Sequence, residues 1–122
     1  MEADMTGQLE QLTSDVVALT KERDAGKALG DFFVKLVLHH PEEATFAASG
    51  EDSSLRQALA VLLQRAQRGG TMRKDIGVDD LLLLAVGAVA AVGHAGEDES
   101  ARRRTVTVFR DGLKGRRLSR GR

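Results

Sequence analysis

The chain has 122 residues, 42% apolar and 30% charged, with a single proline and no cysteine, which allows one domain with its own core and excludes a disulfide framework or a thiolate metal site. The acidic, polar start MEADMTGQLEQ is not a secretory signal, and the longest apolar run, Leu81 to Gly93, is shorter than the roughly 20 residues that cross a bilayer, so a cytoplasmic protein with no membrane segment is expected. The net charge of zero hides a division: residues 1–100 carry nine Lys or Arg against seventeen Asp or Glu, whereas residues 101–122 carry nine against Asp111 alone.

Helical periodicity recurs along the chain, and no strand-like alternation is sustained. Met5, Leu9, Leu12, Val16 and Leu19 are spaced four, three, four, three, which predicts one apolar stripe on a helix over about 5–23. A second helix fits Ala25 to His39, with Ala25, Ala28, Leu29, Phe32, Phe33, Leu36 and Val37 inward. Pro41 disfavours helical geometry at His40 and ends it there. Residues 41–49, PEEATFAAS, restart as a short helix with Pro41 in the first turn and Glu42 and Glu43 offsetting the dipole. After a turn at 50–53, Ser53 or Ser54 caps a helix carrying Leu55, Leu59, Leu62, Leu63 and Ala66, and Gly69-Gly70 stops it. The next helix runs from near Val78 to about Ala95. The last covers roughly 99–114, with Arg102, Thr105, Val106, Phe109 and Leu113 on one face. The sum is an all-α domain of five or six helices, 1–115, followed by a basic tail, 116–122, expected to be disordered.

The stretch GGTMRKDIGVDD, residues 69–80, raises the question of a ligand loop. A phosphate loop needs the positive end of the following helix free, but Asp79 and Asp80 occupy that end and repel an anion, and the lysine-serine pair of such loops is missing. The spacing of Asp75, Asp79 and Asp80 does not match a calcium loop. As a helix corner every part has a use. The glycines end one helix, Met72 and Ile76 pin the connector, Gly77 caps the next helix, and Arg73 or Lys74 pairs with Asp75 at the surface.

Catalytic chemistry finds little support. The serines fall at caps, turns, exposed faces or the tail, no Gly-x-Ser-x-Gly elbow occurs, and the pairs Glu42-Glu43 and Asp79-Asp80 lie at solvated helix starts. His39 and Glu43 are four apart, but Pro41 breaks the helix between them. His39, His40 and His94 are therefore not expected to hold a metal, and no cofactor is expected. An enzyme is not expected.

The helix over 79–94 is apolar all round. Leu82, Val86 and Val89, with Leu81 and Val92 beside them, form a bulky stripe expected to face the protomer's own core. Leu83, Leu84, Gly87, Ala90, Ala91 and His94 form a mostly small opposite side expected to meet a second chain. Phe32, Phe33 and Phe46 fit either plain core or the lining of a ligand cavity.

The run LRQALAVLLQRAQRGGTMRKDIGVDDLLLLAVGAVAA, with FAASGEDSSL before it and VTVFRDGLKG after it, resembles the C-terminal ligand-binding and dimerisation domain of TetR-family transcriptional repressors over about residues 12–115. The shared pattern is a long helix ending in small residues, an Arg-x-Asp-hydrophobic connector (Arg73-Lys74-Asp75-Ile76), an apolar helix with an acidic first turn, and a final amphipathic helix. The resemblance implies a cytoplasmic homodimer in which the last two helices of each chain form a four-helix bundle, with Leu84, Gly87, Ala91, Val106, Phe109 and Leu113 at the interface. It also implies a small, largely apolar ligand held among Phe32, Phe33, Leu36, Phe46, Leu59, Leu63 and Val86. The helix over 5–23 is similar to the one that links such a core, here 25–113, to a DNA-binding domain. No stretch of this chain matches that helix-turn-helix domain, so DNA would be reached only through a domain absent from this chain. Two other readings stay open: a ligand-free helical interaction module, and non-specific nucleic-acid binding through the basic C-terminus.

Overall fold

The computed structural model describes residues 2–51 and 53–115. The basic tail over 116–122 lies outside the described residues. Among the described residues the architecture is all-helical: α1 (Glu2–Leu19), α2 (Ala25–His39), α3 (Pro41–Ala48), α4 (Ser53–Arg68), α5 (Val78–His94) and α6 (Glu99–Asp111).

The centre of the bundle is α2, which packs on each of the other five helices. Its sequence permits this in two ways. Leu29, Phe32, Phe33, Leu36 and Val37 bury a broad apolar sector of its surface. Gly26 and Gly30, one turn apart, leave room where neighbours come closest: a Cβ at Gly26 would lie 2.0 Å from Thr71 Oγ1, and one at Gly30 would lie 3.3 Å from Arg110 Cδ. The helix starts where the Asp24 carboxylate accepts the Lys27 N–H at 3.0 Å and stops at His40, because Pro41 opens α3.

The stripe on α1 packs chiefly against α4, burying Leu9, Leu12 and Val16 against the row containing Leu55, Leu59, Leu62 and Leu63. Each such leucine contributes up to about 1.5–3 kcal/mol by leaving water, so this seam is a main support of the fold. α3 packs mostly on α5, and α5 in turn on α6.

Two helix ends differ from the sequence-based expectation, each for a local reason. α1 stops at Leu19 instead of continuing to 23, because Thr20 Oγ1 bonds the Val17 carbonyl and Arg65 Nη1 donates to the Thr20 carbonyl, while Asp24 is needed as the next cap. α6 stops at Asp111 instead of 114. Beyond Gly112 the chain turns to pair with the connector, where the Arg73 N–H donates to the Leu113 carbonyl at 2.8 Å and the Gly115 N–H to the Thr71 carbonyl at 3.0 Å. This isolated antiparallel bridge, Met72 to Lys114, was not foreseen from the sequence.

Candidate functional site

The corner over 69–77 is held from all sides. Gly70 ends α4 with φ of 84°, a conformation that favours glycine. Met72 is buried, and Ile76 is half-buried against the core. The Gln67 amide donates to the Arg73 carbonyl at 3.1 Å and to the Ile76 carbonyl at 2.8 Å. The Arg73 guanidinium grips Asp75 through two bonds, 2.6 and 2.8 Å, and reaches the Gly112 carbonyl at 3.1 Å; the Asp75 contact raises the Arg73 pKa further above its already high value. Asp80 accepts the Gly77 N–H at 3.1 Å, and Asp79 meets Arg56 of α4. The Asp75, Asp79 and Asp80 carboxylates thus serve the corner itself.

That corner sets the rotation of α5, which differs from the expected phase. At 100° per residue the buried stripe is Leu81, Ala85, Ala88 and Val92, with Leu82 beside it, while Val86 and Val89 are only half-buried flanks. The stripe turned to solvent is Leu83, Gly87, Ala90 and His94, spaced four, three, four. Leu83 is 63% exposed. Along α6 and its cap, Ala101, Thr105, Val108 and Gly112 repeat the same spacing; Ala101 and Thr105 are half-buried, Gly112 is exposed and Val108 is 69% exposed. Phe109 is half-buried in the seam, its ring edge 3.6 Å from where a Gly87 Cβ would be. Leu84, Gly87, Ala91 and Phe109 of the expected interface therefore border one outward face. Val106 and Leu113 do not: both are buried in the protomer's own core, Val106 on the inward side of α6 and Leu113 in the turn beyond it, where its carbonyl is tied to the Arg73 N–H.

The expected pocket residues divide similarly. Phe32, Phe33, Leu36 and Leu59 converge with Leu29, Leu81, Leu82 and Ala85 on a closed cavity of about 10 Å³, room for no more than one water. Leu63 is core beside α1 and does not line it. Val86 lies outside it, because the inward positions of α5 are 81, 82 and 85. Phe46 is half-buried in a separate surface groove with Met5, Leu9, Thr13 and Ser54. Ala85 is the inward position that the bulky-stripe pattern misses, because an alanine stands out little in a helix that is apolar all round.

The basic residues of the last helix are mostly engaged locally. Arg102 donates to the Gly96 carbonyl, Arg103 faces Glu99 at 3.6 Å, and Arg110 and Lys114 both approach Asp111. His40 Nδ1, rather than His39, stands 3.8 Å from buried Glu43, and His94 is on the outward face of α5. Among the described residues no three His, Asp or Glu side chains gather into a metal-holding group, and no helix is long and apolar enough to cross a membrane.

With this geometry in hand, comparison with known proteins is specific in one respect. Residues 24–115 match the family described as "Transcriptional regulator SbtR-like, C-terminal domain", of the TetR regulators. No curated protein and no solved structure matches the chain.

Proposed function

The chain belongs to the SbtR-like C-terminal domain family of TetR regulators, and from that premise we propose that it is the ligand-sensing and homodimerising half of a cytoplasmic repressor. The DNA-binding domain would be supplied outside the residues considered, with α1 as the helix that joins it to the core. The observation that carries the dimer is the paired outward stripe: Leu83, Gly87, Ala90 and His94 on α5 beside Ala101, Thr105, Val108 and Gly112 on α6. Gly87 and Ala90 at the middle of the α5 stripe, with Ala101 on α6, leave room for two helix pairs to approach, and an isologous four-helix bundle uses one such face twice. A domain of this size gains from the added burial.

The ligand would enter the interior at Phe32, Phe33, Leu36 and Leu59. That space is nearly closed, so binding would select a minor, opened arrangement and shift the population toward it. Gly87→Leu tests the dimer. The new side chain would displace the Phe109 ring and fill the space for the partner helix, an overpacking of about 1–3 kcal/mol. An unchanged dimer mass by light scattering at low micromolar concentration would remove the α5 face from the interface.

A further inference from the structure

The division of charge along the sequence has a place in the fold. Three segments meet at one end of the bundle: 21–24 between α1 and α2, 65–75 at the end of α4 and along the connector, and 110–115 at the end of α6. Arg65 Nη1 donates to the Thr20 carbonyl, Thr71 Oγ1 lies against Gly26, and the Thr71 carbonyl accepts the Gly115 N–H at 3.0 Å. Together these segments hold eight Lys or Arg against four Asp or Glu, and the sequence continues past Gly115 with RRLSRGR, four arginines and no acid. The rest of the chain is correspondingly acidic.

Between the first two segments is a hollow of about 740 Å³, lined by Arg23, Arg65 and Arg68 with Gly26, Gly69 and Thr71. Asp24 also lines it, but its carboxylate accepts the Lys27 N–H at 3.0 Å as the cap of α2. Among the described residues none of the three guanidinium groups forms an ion pair, and neither does Lys74 in the connector, whereas Arg73 is taken by Asp75. Offsetting the dipole at the end of α4 accounts for Arg65 and Arg68. It does not account for Arg23 and Lys74, which lie outside the helices.

Unpaired guanidinium forks around a hollow match phosphate oxygens, which they bind bidentately. No phenylalanine lines the hollow, and the chain has no tyrosine or tryptophan, so bases find no stacking surface there. Among the described residues the exposed large apolar side chains, Val17, Val61, Leu83 and Val108, all lie outside the three segments, so this end offers none to insert into a lipid surface. The partner that fits is a sugar-phosphate backbone.

We propose that the end of the domain carrying Arg23, Arg65 and Arg68 binds a nucleic-acid backbone without reading its sequence. α1, with 18 residues, puts about 27 Å between this end and the helix start at which the DNA-binding domain would join. The contact is therefore a second one, to another stretch of nucleic acid, and it stands whether or not the domain senses a ligand.

Anisotropy of a labelled duplex of about thirty base pairs and arbitrary sequence, titrated with the full chain, gives the test; between about 50 and 200 mM salt its affinity should fall about a hundred-fold, as for about four phosphates. Arg23→Gln with Arg68→Gln removes two exposed cations without described ion-pair partners. The thermal midpoint should hold, while the duplex binds at least about ten-fold more weakly and the salt slope drops by about two. Arg103→Gln with Arg104→Gln removes the same charge from the exposed side of α6 and should change neither. Equal losses in the two double variants would reduce the effect to net charge and overturn the site. A duplex left unbound at low salt, or bound with an unchanged slope after the Arg23 and Arg68 changes, would overturn it as well. Sedimentation with vesicles of phosphatidylglycerol and phosphatidylcholine gives the remaining arm: binding as tight as to the duplex, at equal phosphate, would overturn the nucleic-acid assignment.

Discussion

Leu83→Glu is the sharpest test of the outward face, because its effect on the protomer and on the dimer differ so widely. In the protomer Leu83 is 63% exposed, and a surface substitution of that kind usually changes stability by no more than about 0.5 kcal/mol. In a two-fold dimer the same position is used twice. Burying the exposed part of each leucine is worth about 1–2 kcal/mol of the roughly 1.5–3 for a whole side chain, so the pair gives about 2–4 kcal/mol. Two carboxylates forced into a desolvated seam add a penalty of several kcal/mol. The sum predicts a dissociation constant raised at least about a thousand-fold. Sedimentation equilibrium from 1 to about 50 times a low micromolar concentration should find a monomer with unchanged far-ultraviolet circular dichroism. Val106→Glu is the contrast: Val106 is buried within the protomer, so that variant should lose its fold along with its dimer. A Leu83→Glu protein that remained fully dimeric would refute the assignment of this face. One that unfolded would refute the claim that Leu83 is free of the core.

Three further outcomes are expected. Gly26→Ala brings a Cβ within 2.0 Å of Thr71 Oγ1 and should cost about 1–3 kcal/mol by pushing the connector off its bridge; in a Thr71→Gly background the same change should be neutral or stabilising, and chemical denaturation of the four proteins gives the coupling directly. Leu59→Ala should cost about 2–5 kcal/mol and leave a dry cavity whose thermal midpoint rises with added benzene, an effect absent from the wild type, where the space is closed. The Asp15 carboxyl is held below the usual carboxylate range by the Gln11 amide and then by Lys35, against an opposing effect of partial burial. Its folded pKa is thus below its unfolded one, so its contribution is fully present above the unfolded value and lost as pH falls through the folded value. Wild type and Asp15→Asn should differ by about 0.2–1 kcal/mol at neutral pH and converge in acid, as measured by urea titrations at several pH values.

The helices were legible because each carries its own punctuation. Pro41, Gly69-Gly70 and the Asp79-Asp80 pair fix boundaries by local chemistry, and the starts of α2 and α5 fall where the sequence predicts. The stripes of α1, α2 and α4 were legible because their apolar residues cover one sector. α5 has no polar sector to mark its outside, so hydrophobicity alone does not phase it, and its bulky residues point to Val86 as inward where the structure buries Ala85 and Ala88. Val106 and Leu113 are ambiguous for a related reason: a single apolar face at the end of the chain does not say whether it meets its own chain or another, and here it meets its own. The bridge from Met72 to Lys114 joins backbone segments some forty residues apart in sequence, and no side-chain pattern encodes it.

Those misses meet in one physical arrangement. The two glycines of α2 put its backbone against Thr71 of the connector and against Arg110 of α6. The connector is bonded through Arg73 and Thr71 to the end of α6 and begins α5 at Gly77. Phe32, on the same central helix, lines the buried cavity together with Leu81, Leu82 and Ala85 of α5. A displacement of α2 therefore has two short routes to the pair of helices proposed to form the dimer, because the side chains of Thr71 and Arg110 lie directly against its glycine backbone. On the proposed reading, a ligand inside the domain would reach the partner protomer through these glycine contacts rather than through a chain of polar residues. Gly30→Ala would then be the diagnostic change. Its Cβ would sit 3.3 Å from Arg110 Cδ, close enough to nudge a flexible stem without wrecking the core. It should therefore alter the linkage between ligand affinity and dimer dissociation more than it alters either alone. Equal linkage in wild type and Gly30→Ala would mean that the signal, if one passes, leaves α2 by the connector.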